Sequence, residues 1–344
     1  MRLKADNVLV FCLVLSSFVT LLFHWPLINI IPQIVLFIVF LFLVTNRVSR
    51  SNISYGVFFV ILSFLVFMLS SGGGWQASLK LLNAGLISII FSQYRYSQYL
   101  RYFIIFVIFN SVAMVLTGLT GVSIALDSDI YFRYPNFPIH ANAGLLKEMN
   151  YSGILAGLLA ILITRWLKTP VLFISIFIAT SRISFLIPLL YFVGRLLKVK
   201  IFRFLLIISP ILISAYIFEF FPGLLLERYY LWEQALKVLK WNEAIPLSNL
   251  TEHMLEGNPN SPWKPKSAVH SGIIENMILN GPIVFITIFI VSIISALRMN
   301  LNEFLVFIYL YLTSFVMSLS LGGLSATSML YTWLIIKGLR KNER

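Results

Sequence analysis

Three arginines and one histidine are the candidates for chemistry in this chain. Arg182 lies inside an apolar stretch, Arg228 begins an amphipathic stretch, His270 directly precedes another apolar run, and Arg133 lies in a polar interval. Guanidinium groups bind phosphate oxygens in a bidentate manner, and a helix N-terminus adds partial positive charge. That charge disfavours imidazolium, so we expect His270 to stay neutral and able to accept a proton. These groups suit transfer from a lipid diphosphate onto a hydroxyl.

Each candidate also has a purely structural interpretation. Arg182 would reach the outer headgroups or pair with Glu219 or another acid. Arg133 and His140 belong to the interval 120–149, where Asn and Asp turns would stabilise a surface loop. His270 would be an interfacial imidazole bonded to a backbone carbonyl.

The composition indicates a polytopic membrane protein built only of helices. Hydrophobic residues make up 59% of the chain, charged residues 11%, and the mean hydropathy is +0.90. Soluble domains carry roughly 25% charged residues. The net charge of +13 comes mostly from cations in short loops between apolar runs, which predicts helix orientation rather than nucleic-acid binding. Cys12 is the single cysteine, so no intrachain disulfide can form.

Apolar runs of spanning length predict twelve membrane segments in one membrane domain covering 1–344, with a retained first helix after a basic flank. The predicted segments are 8–23, 31–45, 54–70, 79–93, 103–119, 150–166, a pair inside 171–197, 204–220, 273–297, 303–318 and 326–337.

Lys and Arg residues predict the orientation of these segments. With the N-terminus in the cytoplasm, 17 of the 26 cations fall on the inner side and 9 on the outer side. This asymmetry satisfies the positive-inside rule. Both termini are then cytoplasmic, and the long loops 120–149 and 221–272 face outward.

The interval 171–197 is too short for two full spans, although cations on both sides predict cytoplasmic ends. Two spans need about 40 residues. We therefore expect a hairpin of short helices with Arg182 at its turn. A charged residue at membrane depth indicates a cavity or a partner, and by default a functional site.

The outer loop 221–272 contains one predicted helix, 227–240, whose apolar stripe includes Trp232. We expect this helix to lie flat at the membrane surface with its aromatic rings among the headgroups. The rest of the loop reads as irregular and contains His253. No His, Cys, Asp or Glu spacing typical of a metal site occurs, and no nucleotide-binding motif does, so we predict neither a metal nor a cofactor.

Four segments resemble the bacterial O-antigen ligase and O-antigen polymerase superfamily. They are NYSGILAGLLAILI, ATSRISFLIPLL with its Ser-Arg element, LLLERYYLWEQALKVL with its Arg, and AVHSGIIENMILNGPIVF with its His. Their order, orientation and spacing agree with the family over about 130–297. The ligase branch usually has Asn after its histidine, where this chain has Ser271, and this difference favours the polymerase branch.

The resemblance implies a metal-independent glycosyltransferase of the bacterial inner membrane. Its donor would be an undecaprenyl-diphosphate-linked oligosaccharide and its acceptor another glycan or, for a ligase, lipid A core. Arg182 and Arg228 would hold the diphosphate, and His270 would deprotonate the acceptor hydroxyl at the periplasmic face. Arg133 is a further candidate for substrate binding. A chain-length regulator is an expected partner beside the lipid bilayer.

Two other classes remain open from the residues alone. A broken hairpin near the membrane midplane is a feature of transporters. A structural membrane scaffold would leave Arg182 without a role.

Overall fold

A computed structural model describes the chain over 2–22, 30–44, 50–70, 75–93, 96–122, 140, 142–146, 149–162, 196–221, 227–241, 243–245, 271–315, 321 and 323–340. Within these residues the structure is helical, in agreement with the predicted fold class. The helices are α1 Arg2–Leu22, α2 Ile30–Val44, α3 Arg50–Leu69, α4 Trp75–Gln93, α5 Tyr96–Thr120, α6 Met149–Leu162, α7 Lys200–Phe220, α8 Glu227–Lys237, α9 Gly272–Asn280, α10 Pro282–Arg298, α11 Leu301–Thr313 and α12 Ala326–Arg340.

Helices occupy most of the described part of every predicted segment outside 171–197, and of that interval only 196 and 197 are described. By length and composition, two of the described helices could each cross a membrane, over Tyr99–Thr120 and Lys200–Phe220. Six shorter apolar helical stretches, of 10–17 residues each, also coincide with predicted segments among the described residues. The chain is therefore compatible with a helical membrane protein, and its twelve spans stay a prediction.

The chain packs as two compact units. The first comprises 1–49, 89–195 and 324–330, and the second comprises 50–88, 196–323 and 331–344. In the first unit α1 packs against α2 and α5, and α5 packs against α6. Phe18 stacks on Phe106 with ring centroids 5.2 Å apart, and the neighbouring ring of Phe103 is fully buried.

One group of contacts in the second unit joins helix ends that the cation count assigns to the cytoplasmic side. Arg203 near the start of α7 donates a hydrogen bond to the carbonyl oxygen of Met299, which follows α10. Lys337 in α12 forms an ion pair with Glu303 in α11. Arg340 at the end of α12 bonds Ser88 in α4.

A second group of contacts joins ends predicted to face outward. The amide of Ala244 donates to the carbonyl oxygen of Leu69 at the end of α3 (3.1 Å), and the amide of Ile245 donates to that of Ile278 in α9 (3.1 Å). Which side of a membrane each group of contacts faces stays a prediction.

Candidate functional site

Most residues of the predicted site fall outside the described chain. Arg133, Arg182 and His270 lie there, as does His253. Arg228 is the second residue of α8, and its side chain is likewise outside the described part. The described residues include two helices of this region. Helix α8 contains Arg228, and helix α9 follows His270 in the sequence.

Helix α8 exists as the periodicity predicts but ends at Lys237, three residues before the predicted end. Lys237 closes the last turn with an ion pair to Glu233 (2.9 Å) on the exposed face. The opposite face contains Trp232 and Ala235, which are 7% and 0% exposed.

The expected position of Trp232 among lipid headgroups is wrong. Its ring is buried in a hydrophobic cluster with Ala235, Ile245 and Ile278, and half-buried apolar side chains including Ile274 pack around it. The apolar face of α8 packs against other parts of the protein and not against lipid, because α9 and the short segment 243–245 cover it. Helix α8 is therefore held against α9.

Helix α9 begins two residues after His270. Ser271 is its N-cap, with an extended backbone and an Oγ that accepts from the amide of Ile274 (3.5 Å). Such a cap satisfies one of the free N–H groups of the first turn. This capped helix, which follows His270 in the sequence, packs against α8, which contains Arg228.

The sequence Gly281-Pro282 predicts a kink within the span 273–297. In the structure it is a complete break between α9 and α10. Gly281 has φ +75°, a conformation that favours glycine, and a Cβ there would lie 3.2 Å from the carbonyl oxygen of Glu243. Pro282 starts α10, where its missing N–H costs nothing. The predicted single span 273–297 is thus two helices of 9 and 17 residues.

A cavity lies beside this break, within the second unit. It is bounded by α9, α10, α11 and α12, with Leu81 from α4. Its polar lining includes Asn276, Asn280, Ser292 and Ser314. Because Ile273 also lines it, the cavity begins in the same helical turn that follows His270.

Two opposite charges, one in α9 and one in α4, interact in the second unit. Glu275 is 7% exposed, and its carboxylate acts electrostatically on the half-buried ammonium of Lys80 in α4. Charged side chains within apolar helices are costly and usually pair with an opposite charge. The two charges belong to different helices, Glu275 to α9 and Lys80 to α4, and are close enough to interact.

Sequence reasoning missed Glu275, Asn276 and Asn280 as functional candidates. The signal was present, because three polar residues interrupt the apolar sequence GIIENMILNG. Lys80 was counted only as an outward-facing cation. Its partner is far away in the chain, and no local pattern relates the two.

In the first unit, Asn142 makes a turn of the kind that the structural interpretation of 120–149 predicts, but its side chain is not at the surface as that interpretation expected. It is fully buried, its Nδ2 donates to the carbonyl oxygens of Met114 and His140 (both 3.0 Å), and its Oδ1 accepts from the amide of Gly144 (2.9 Å). The imidazole of His140 lies against Gly121, where an added Cβ would be 2.9 Å from Nε2. The segment 142–146 is therefore fixed onto the end of α5.

Within the described residues, no group of three or more His, Cys, Asp or Glu side chains could hold a metal ion. Comparison of the chain with family models, with curated proteins and with solved structures finds no match.

Proposed function

We propose that this chain is a surface-polysaccharide polymerase of the bacterial inner membrane. It would transfer an undecaprenyl-diphosphate-linked glycan onto a sugar hydroxyl at the periplasmic face, with both termini in the cytoplasm. Arg182 and Arg228, with Arg133 as a further contact, would bind the donor, and His270 would be the general base. The proposal rests on the order of the four sequence motifs that carry these residues.

The observation that supports it best is the packing of α8 on α9. The family's Arg helix and the helix after its His are separated by a long loop, yet Trp232 and Ala235 meet Ile274 and Ile278 in one cluster. Such packing fixes the two elements relative to each other, which a diphosphate site beside a base requires.

The proposed reaction also accounts for the cap at Ser271. A capped helix start leaves other N–H groups of the first turn directed outward, where they favour an anion. His270, directly before this start, would then lie beside the leaving diphosphate. General-base catalysis contributes about 10²–10⁴-fold to rate.

Turnover by the purified protein tests the proposal. The full chain in liposomes would be given undecaprenyl-diphosphate-linked repeat units without an energy source, and chain growth followed by gel electrophoresis. We expect polymer from the wild type, about 10²–10⁴-fold less from His270→Ala, and near-normal polymer from the control His253→Ala. Polymer formation by His270→Ala at the wild-type rate would remove the base from the mechanism.

The same assay separates the ligase alternative. Transfer of a single glycan to added lipid A core, without growth of free chains, would assign the chain to the ligase branch. Because the predicted site contains no metal ligand cluster, we expect polymer formation to continue in chelator.

A transporter remains the second candidate, because one observation favours it. The break at Gly281 interrupts a predicted span beside a polar cavity, and transporters build substrate sites from such broken helices. Movement of the lipid-linked unit or its sugar across the liposome membrane, without chain growth, would support this class.

A further inference from the structure

The cavity beside the α9–α10 break contains more polar side chains than helix packing requires. Asn280, Ser292 and Ser314 line it and are only 8%, 4% and 5% exposed. Polar side chains inside a helical membrane protein serve either to join helices or to bind something. Their hydrogen bonds distinguish these two roles.

None of these three side chains donates to a neighbouring helix among the described residues. Asn280 donates through Nδ2 to the backbone oxygen of Asn276 (2.8 Å), Ser292 to that of Ile288 (2.8 Å) and Ser314 to that of Tyr311 (2.6 Å). All three recipients lie three or four residues earlier, so each donor bonds within its own helix or the turn that ends it. Joining of helices therefore does not explain Asn280 and Ser314, whereas Ser292 is also hydrogen-bonded to Tyr331 in α12.

The cavity presents hydrogen-bond acceptor atoms that are available to a ligand. The Oδ1 atom of Asn280 and the Oγ atom of Ser314 accept no bond from the described residues. Ser292 shares a hydrogen bond with the hydroxyl of Tyr331, whose ring lies at the cavity wall. The second N–H of the Asn280 amide has no acceptor among the described residues either, so these atoms can pair with hydroxyl groups, which both donate and accept hydrogen bonds.

Aromatic and aliphatic side chains supply the remaining wall. Phe289 and Tyr311 stack with centroids 6.5 Å apart, and Tyr311 is fixed by a bond from its hydroxyl to the backbone oxygen of Ile207 (3.0 Å). No charged side chain lines the cavity among the described residues. A mainly apolar wall with few fixed polar atoms is typical of sites for organic ligands.

The volume of the cavity is about 50 Å³, counted as the space open to the centre of a water molecule. One water needs roughly 10–15 Å³ by the same measure. The enclosed space therefore takes a few waters or a hydroxyl-bearing arm of a ligand, and the rest of a ring would lie at its open side.

We infer that this cavity binds a neutral, hydroxyl-bearing ring, and specifically a sugar. Asn280 and Ser314 accept its hydroxyl hydrogens, and Phe289 and Tyr311 cover its apolar face. The inference is independent of the proposed catalysis, since a transporter would need the same site. If the chain is a polymerase, the cavity, which begins in the helical turn after His270 in the sequence, would take the acceptor sugar.

Cysteine accessibility tests the inference without any turnover. Cys12→Ala removes the single native thiol, and Ser314→Cys then places one in the cavity with little change in volume. The full-length variant in liposomes would be treated with a charged, membrane-impermeant thiosulfonate. Labelling would be timed with and without free glucose, galactose, mannose, rhamnose or N-acetylglucosamine. We expect labelling of the Ser314→Cys variant, slowed several-fold by at least one of these sugars.

Three controls make the result specific. Ile283→Cys, on the exposed face of α10, should stay unlabelled or show no protection. Adding Asn280→Leu to Ser314→Cys should abolish protection while labelling continues. Sodium chloride at matched osmolarity should not protect. If Ser314→Cys fails to fold, Ser292→Cys serves in its place. Absent labelling, labelling unaffected by every sugar, or protection by the salt alone would each overturn the inference.

Discussion

The guanidinium of Arg203 donates from Nη1 to the backbone oxygen of Met299, 2.6 Å away and 96 residues further along the chain. Its Nε atom donates to the backbone oxygen of Leu197 (2.6 Å), and the ring of Phe304 lies under it with the centroid 4.9 Å from Cζ. One side chain thus joins the start of α7 to the end of α10 and the start of α11.

Arg203→Lys should therefore destabilise the protein although the charge is kept. A lysine cannot reproduce the planar fork that serves two carbonyl groups and stacks on a ring. Hydrogen bonds from charged groups contribute about 1.5–3 kcal/mol each, so we expect a loss of about this size. Thermal unfolding in detergent measures it. Lys200→Ala, which removes an exposed cation in the same turn, is the control, and equal stability of both variants would contradict the prediction.

A second prediction concerns the contact between α12 and α10. Gly338 lies so close to Ser295 that an added Cβ would be 2.5 Å from the backbone oxygen of Ser295, whose Oγ donates to the backbone of Ile335 (2.6 Å). Small residues allow such close approach of helices. Gly338→Ala should cost about 1–3 kcal/mol of stability by forcing the helices apart.

Gly85→Ala is the matched control for that variant. A Cβ at Gly85 would be 3.1 Å from the backbone oxygen of Gly56, so a shift of a few tenths of an ångström suffices. The melting temperature in detergent should fall clearly more for Gly338→Ala. A larger fall for Gly85→Ala would mean that the contact is looser than described.

Local patterns in the sequence predict the helices well. Apolar length places each described helix of the predicted spans, and Gly281-Pro282 correctly marks a change of direction, because the signals lie within a few residues. The periodicity of α8 is equally local. The environment of α8 does not follow from a local pattern. The sequence therefore placed Trp232 among lipid headgroups, whereas α9 and the segment 243–245 bury it.

The candidate site depends on contacts that no window of sequence contains. Lys80 and Glu275 lie in different helices, and so do Ser292 and Tyr331. Which polar residues of an apolar helix face a cavity follows from packing. The sequence could therefore nominate Arg182, Arg228 and His270 by type and motif, but not the amides and hydroxyls around the break.

A third prediction tests the orientation of the chain. In a Cys12→Ala background, single cysteines would be introduced by Asn258→Cys in the long loop and by Lys200→Cys at the start of α7. Because cations favour the cytoplasmic side, an impermeant maleimide added outside spheroplasts should label the first variant and spare the second until the membrane is opened. Labelling in the reverse order would place the proposed site in the cytoplasm and invalidate the mechanism.

The last prediction concerns Lys80 and Glu275. Glu275 is almost fully buried, and its carboxylate acts on the Lys80 ammonium, so removing one charge leaves the other uncompensated in an apolar setting. Breaking a buried pair in this way costs about 3–5 kcal/mol, whereas removing both charges is often nearly neutral. Glu275→Gln should therefore lower the melting temperature strongly, and adding Lys80→Gln should restore most of it.

The exposed pair of Glu233 and Lys237 provides the control. Pairs of this i,i+4 type contribute only about 0.3–0.5 kcal/mol, so Glu233→Gln should have little effect. Protein folded enough to purify would also be assayed for polymer formation, since a shifted α9 would displace His270. If the double variant is as stable as the wild type but polymerises normally, the pair serves folding alone. If the double variant is no more stable than Glu275→Gln, the two charges do not form a coupled pair.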